Sequence, residues 1–190
     1  GGLVGTRYGM PKMSRLMDEN RSLPLYMLEI EGAVPLVISG HYPAVVPPEH
    51  GARIKSATGY LRANIDETLS RVAAKEAVTH HREDAIYSTI REAAGDDARG
   101  YVHIFLTSAD SSETAKGMQI RDGLKLLIPT VEDLRDTCIQ VAVDWSKYKR
   151  MESTHGADAL PVSLGKRLAF EAYVLQDAVE ELFSDLKRHA

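Results

Sequence analysis

The sequence predicts an α/β or α+β fold: a small three- to four-stranded mixed sheet packed against three to four helices, ending in a long C-terminal amphipathic helix. Three observations predict it. The run Tyr101-Val102-His103-Ile104-Phe105-Leu106-Thr107 is apolar at nearly consecutive positions, as a strand buried on both faces would be. Two earlier apolar runs, 23–30 and 34–46, flank Glu31-Gly32-Ala33, a short glycine-bearing connector of the hairpin kind. Residues 163–188 place Leu164, Leu168, Ala172, Leu175, Val179, Leu182 and Leu186 at steps of three and four, the spacing of one helical face.

The elements follow in order. Residues 1–10 are glycine-rich and expected to fray or to be left over from expression, since the start Gly1-Gly2-Leu3 lacks an initiator Met; the chain would then be one domain over 1–190, or a domain excised from a longer protein. Pro11 suits a first helical position, so 11–20 is predicted to be a short helix. Pro35, Pro43, Pro47 and Pro48 puncture the second apolar run, which marks it as an edge strand passing into loop. Asn64 with Glu67 resembles a capping box and opens a helix over 64–94, ended by Gly95. The strand over 101–107 comes next. Asp110 with Glu113, or Ser111 with Thr114, can then cap a helix to about 121. The run 124–128 is expected to be a further strand, since Gly117 and Gly123 weaken a continuous helix and Pro129 ends it. Thr130 with Asp133 opens a helix over 130–150, and 151–162 reads as loop.

Composition bounds the function. Hydrophobic residues are 44% and charged residues 26%, ordinary globular usage with enough apolar material for a core. The net charge of -4 argues against nucleic acid as a partner, although Arg53, Lys55 and Arg62 flank Tyr60 and Lys147, Lys149 and Arg150 flank Tyr148. A lone cysteine, Cys138, excludes an intrachain disulfide and a cysteine-based zinc site. No apolar run approaches the roughly 18 residues of a membrane span, no leader is recognisable, and a cytoplasmic location is expected. No cofactor fingerprint occurs, neither a Walker A sequence nor a glycine-rich dinucleotide loop, so no cofactor is expected.

Three places carry candidate chemistry. The turn Ser108-Ala109-Asp110-Ser111-Ser112 precedes a predicted helix, whose free N–H groups suit a phosphate or carboxylate; Ser108, Ser111 and Ser112 are the candidate ligand-binding residues. Ordinary helix capping explains the same residues. His41, on a proline-rich loop, and His103, in the predicted strand, form with Asp110 the candidate catalytic set, on condition that they meet in space. Glu76, His80 and Asp84 stand one turn apart on the predicted helix 64–94 and are the candidate metal ligands, against the plainer reading of a solvated charged face. Glu29 and Glu31 alternate as the paired acids of some nucleases do, without the lysine that would follow.

The sequence therefore predicts a regulatory or protein-interaction domain, self-associating through the C-terminal helix. The alternative is a small-molecule or nucleotide-processing enzyme with its pocket at 108–112.

Overall fold

The computed structural model describes residues 9–189. The expectation of a frayed segment over 1–10 falls almost wholly outside them. The fold is helical, with one two-stranded sheet among the described residues. In order they are α1 (Pro11–Leu16), α2 (Glu19–His41), α3 (Pro48–Ala63), α4 (Ile65–Thr79), α5 (Arg82–Ala94), a 3-10 turn at Arg99–Tyr101, α6 (Ser108–Asp144), the strands β1 (Lys149–Thr154) and β2 (Ala157–Ser163), and α7 (Leu164–Arg188). The predicted α/β or α+β class with a three- to four-stranded mixed sheet is thus corrected to an all-helical scaffold with a hairpin. The backbone gathers into two compact units, one ending at Ile120 and the other beginning at Arg121, inside α6.

In the first unit, the two runs expected to be hairpin strands are a single helix, α2. Asp18 caps it by accepting from Asn20 N at 3.1 Å. Its buried face is Pro24, Met27, Leu28, Glu31, Gly32, Pro35 and Ser39, spaced at helical steps. Proline, glycine and glutamate on that face disguised it. A proline inside a helix removes one backbone hydrogen bond, and α2 tolerates Pro24 and Pro35 because both are buried in tertiary packing. Gly32 lets α3 come close: a Cβ there would overlap the Thr58 side chain. Gly51 of α3 does the same in return, facing Ser39 and the Pro35 carbonyl at 2.9 Å. Leu28, Ile54, Leu61, Ile86 and Ile90 are the largest fully buried apolar side chains of this core. By length and composition α2 could also cross a membrane, contrary to the sequence reading, and 44% of that apolar window is buried within the protein.

The helix expected over 64–94 is two helices. His80 adopts the left-handed region (φ 53°) and ends α4, and His81 caps α5, its Nδ1 accepting from Asp84 N at 3.2 Å. Asn64 makes no cap; its side chain donates back to the Tyr60 carbonyl at 2.9 Å. The central strand expected over 101–107 is a turn. Val102 is buried, but Phe105 is 76% exposed, so the apolar run is not a two-faced buried strand. The strand expected over 124–128 lies inside α6, which continues through Gly117, Gly123 and Pro129.

In the second unit, the predicted loop 151–162 holds an antiparallel hairpin, registered from Lys149↔Ser163 to Thr154↔Ala157. Its two-residue turn, His155-Gly156, has positive φ at both positions (54° and 78°), the backbone that tight hairpins require. The C-terminal helix predicted from Ser163 runs as α7, and buries Gly165, Ala172 and Val179 at seven-residue intervals. Arg135 Nη1 of α6 donates to Gln176 Oε1 of α7 at 2.7 Å.

Candidate functional site

Four elements of the first unit bring polar side chains to one point. Glu31 projects from the middle of α2 and is fully buried. A buried carboxylate is costly unless it is paired. Two partners meet it. His103 Nδ1 lies 2.9 Å from Glu31 Oε1, and the Ser111 hydroxyl donates to the same oxygen. Tyr87 of α5 stacks on the His103 ring, centroids 3.9 Å apart and planes inclined by 21°. The imidazole is thus held on one nitrogen and one face, and its side chain keeps 16% of its surface exposed.

The backbone that delivers His103 is strained. His103 (φ 67°) and Phe105 (φ 59°) both occupy the left-handed region, at roughly 1–3 kcal/mol each. Such conformations persist only where the surroundings hold them, and at His103 the Glu31 pairing and the Tyr87 stack do so.

Burial pushes the Tyr87 phenol up to about 12. The Ser111 hydroxyl is near enough to draw that shift partly back, while Tyr87 Oη meets hydrogen-bond geometry with no described group. Because the folded phenol ionises above its ordinary value near 10, its contribution to stability is complete below about pH 10 and lost as pH rises toward 12. Tyr87→Phe is expected to remove that alkaline loss and to leave stability at neutral pH equal or up by about 1 kcal/mol, because an unpaired buried hydroxyl is deleted. Urea midpoints at pH 7 and pH 11 check both.

The other predicted residues are placed as follows. Asp110 is exposed, and its Oδ2 accepts from Thr107 N at 2.7 Å and Thr107 Oγ1 at 3.2 Å. The Asp110 carboxylate therefore reaches back over the first turn of α6 to Thr107, the acidic half of a capping box. His41 ends α2, ten residues beyond Glu31 and so about 15 Å further along the helix axis; its ring neighbours Tyr42 at 6.5 Å. Of the predicted catalytic set His41, His103 and Asp110, only His103 joins the cluster. Ser111 joins it too, turned inward to Glu31, whereas Ser108 and Ser112 stand half-buried in the first turn of α6. Glu76 lies in α4, His80 ends that helix and Asp84 lies in α5, so the shared helical face proposed for a metal does not form. Among the described residues no group of three or more His, Cys, Asp or Glu side chains is gathered to hold a metal.

A protein-family model described as Lyase matches residues 44–190. The chain belongs to this lyase family. The regulatory or interaction domain expected from sequence is overturned by that membership, and the enzyme alternative is the better reading. Adenylosuccinate lyase of Methanocaldococcus jannaschii is 28% identical to this lyase-family chain over 187 residues, 97% of the chain and 38% of that protein. Adenylosuccinate lyase of Pyrococcus horikoshii is 29% identical over 181 residues, 95% of the chain and 38% of that protein. The chain thus spans well under half the length of these relatives. Its fold is shared with fumarate lyase from Mesorhizobium sp. BNC1, at a TM-score of 0.80 and 23% identity over 91% of this chain and 39% of that one. It is shared equally with β-carboxy-cis,cis-muconate cycloisomerase from Acinetobacter calcoaceticus sp. ADP1, at a TM-score of 0.80 and 23% identity over 96% and 42%.

Glu31 and Tyr87 are the residues sequence reasoning undervalued. Glu31 was noticed only as half of an acidic pair, and its partners lie 72 and 80 residues away. One local sign was available: a glutamate at a helical step from Pro24, Leu28 and Pro35, on the face that has to be buried.

Proposed function

We propose that this chain forms part of an enzyme that splits adenylosuccinate, or a similar amine-linked succinate, into an amine and an unsaturated dicarboxylate. The observation that carries the reading is His103 paired to buried Glu31 just before the N-terminal turn of α6, in a chain similar to adenylosuccinate lyases over almost its full length. An elimination of this kind takes a proton from carbon. The C–H electron pair becomes the new C=C bond, and the C–N pair leaves on nitrogen, which takes up a proton. His103 is the proton-transfer group in this proposal. Ser108 and Ser112, half-buried at the start of α6, are the ligand-binding residues of this reading. Ser111 supports Glu31 from the side, and Asp110 holds the turn closed. His41 and the trio Glu76, His80 and Asp84 take no part.

Self-association belongs to the same proposal, through side chains of α7 such as Phe170 and Tyr173 that the chain alone leaves exposed. So does a cytoplasmic location. The test is a cleavage assay on the full-length gene product, following the ultraviolet change as adenylosuccinate loses its dicarboxylate. Turnover lowered about 100- to 10,000-fold in a His103 variant is the expected result; no turnover of adenylosuccinate by a folded full-length protein would overturn the reading.

A further inference from the structure

We propose that Glu31 is a positioning residue that fixes the Nδ1–H tautomer of His103, so that the neutral imidazole presents Nε2 as a proton acceptor. The inference deepens the reading of His103 as the proton-transfer group and rests on it.

The argument begins with what a carboxylate can do. Ionised, it only accepts hydrogen bonds. Glu31 Oε1 already takes the Ser111 proton, and His103 Nδ1 lies 2.9 Å from the same oxygen. With Glu31 ionised, the proton between the pair sits on Nδ1. The ring nitrogen that makes the supporting bond determines what the other nitrogen offers, and here that leaves a lone pair on Nε2. Two further features oppose any escape. Tyr87 packs flat on the ring at 3.9 Å, which resists a ring flip, and Glu31 comes from the middle of α2, where the close approach of α3 at Gly32 holds the helix. When Nε2 takes up a proton, the ring becomes a cation directly beside the buried carboxylate, so the charge it gains is matched.

The test is the two-bond proton–nitrogen correlation spectrum of the full chain labelled with nitrogen-15 in its imidazoles, with the His103 signals assigned by their loss in His103→Asn. The expected wild-type pattern at alkaline pH is a protonated Nδ1 and a bare Nε2. Glu31→Gln keeps the side-chain volume but can donate as well as accept, so it is expected to mix or invert the tautomer, whereas Ser111→Ala leaves it as in the wild type. A wild-type Nε2–H tautomer overturns the proposal, and so does an unchanged Nδ1–H tautomer in folded Glu31→Gln. If that variant does not fold, the wild-type pattern decides alone. The outcome is separable from the lyase reading: a Glu31-dependent tautomer in a full-length protein that cleaves nothing sinks the activity and keeps the positioning, and cleavage by a protein whose His103 is Nε2–H does the reverse.

Discussion

Replacing His103 by Asn is expected to lower turnover by the full-length protein about 100- to 10,000-fold, the usual range for removing a positioned proton-transfer group. Asparagine is chosen because it tolerates the left-handed backbone that His103 adopts (φ 67°). Part of the effect will be on stability. The substitution strips Glu31 of one partner, and a buried charged group left short of hydrogen bonds costs about 1–3 kcal/mol or more. The double variant Glu31→Gln/His103→Asn separates the two. It is expected to recover much of the lost stability, because the buried charge is gone, while activity stays low. The measurements are kcat and the urea midpoint for both single variants and the double. Turnover that returns with stability would show that His103 serves the fold alone.

Gly165→Ala is expected to destabilise the second unit by at least about 1–3 kcal/mol, the usual penalty for forcing extra atoms into a packed contact. A Cβ at this first turn of α7 would strike the Ala142 carbonyl oxygen and stand 3.0 Å from backbone atoms of Ser146. These are main-chain atoms of α6 and the turn after it, so neither can swing aside as a side-chain tip would. The same junction carries Leu164 N donating to the Tyr148 carbonyl at 2.8 Å and Gly165 N donating to the Trp145 carbonyl at 3.3 Å. Trp145 is the sole tryptophan, so its fluorescence during urea unfolding reports on this region directly. Gly117→Ala is the matching control. It meets nothing within 4 Å and sits inside α6, so it is expected to stabilise by about 0.5–1 kcal/mol. A Gly165→Ala midpoint equal to that of the wild type would refute the steric account.

What the sequence disclosed depended on whether a residue's role was local. The stripe of α7 was legible because consecutive apolar positions on one face declare the period by themselves, and the helix was predicted almost to its ends. α2 was misread because its buried face carries Pro24, Glu31, Gly32 and Pro35, each of which argues locally against a buried helix. Packing overrode those preferences. The turn at 101–107 was misread for the opposite reason. Its residues are apolar, but the left-handed backbone at His103 and Phe105 breaks the run, and such strain is set by long-range contacts. The hairpin tip His155-Gly156 does carry a local sign, a glycine after a residue that tolerates positive φ. At the site, His103 and Ser111 were legible as polar residues in a suggestive place. Glu31 was not, because its meaning depends on partners more than 70 residues away.

The position of Glu31 has one more consequence. It stands near the middle of α2, the described helix whose length and composition would suit a lipid bilayer. An acidic side chain at the centre of a bilayer-spanning helix costs about 2.5–3.5 kcal/mol on insertion scales. The carboxylate that orients a histidine in the folded protein therefore also makes hydrocarbon a poor solvent for the most apolar helix of the chain, and biases that segment, as it emerges during synthesis, toward its own protein interior.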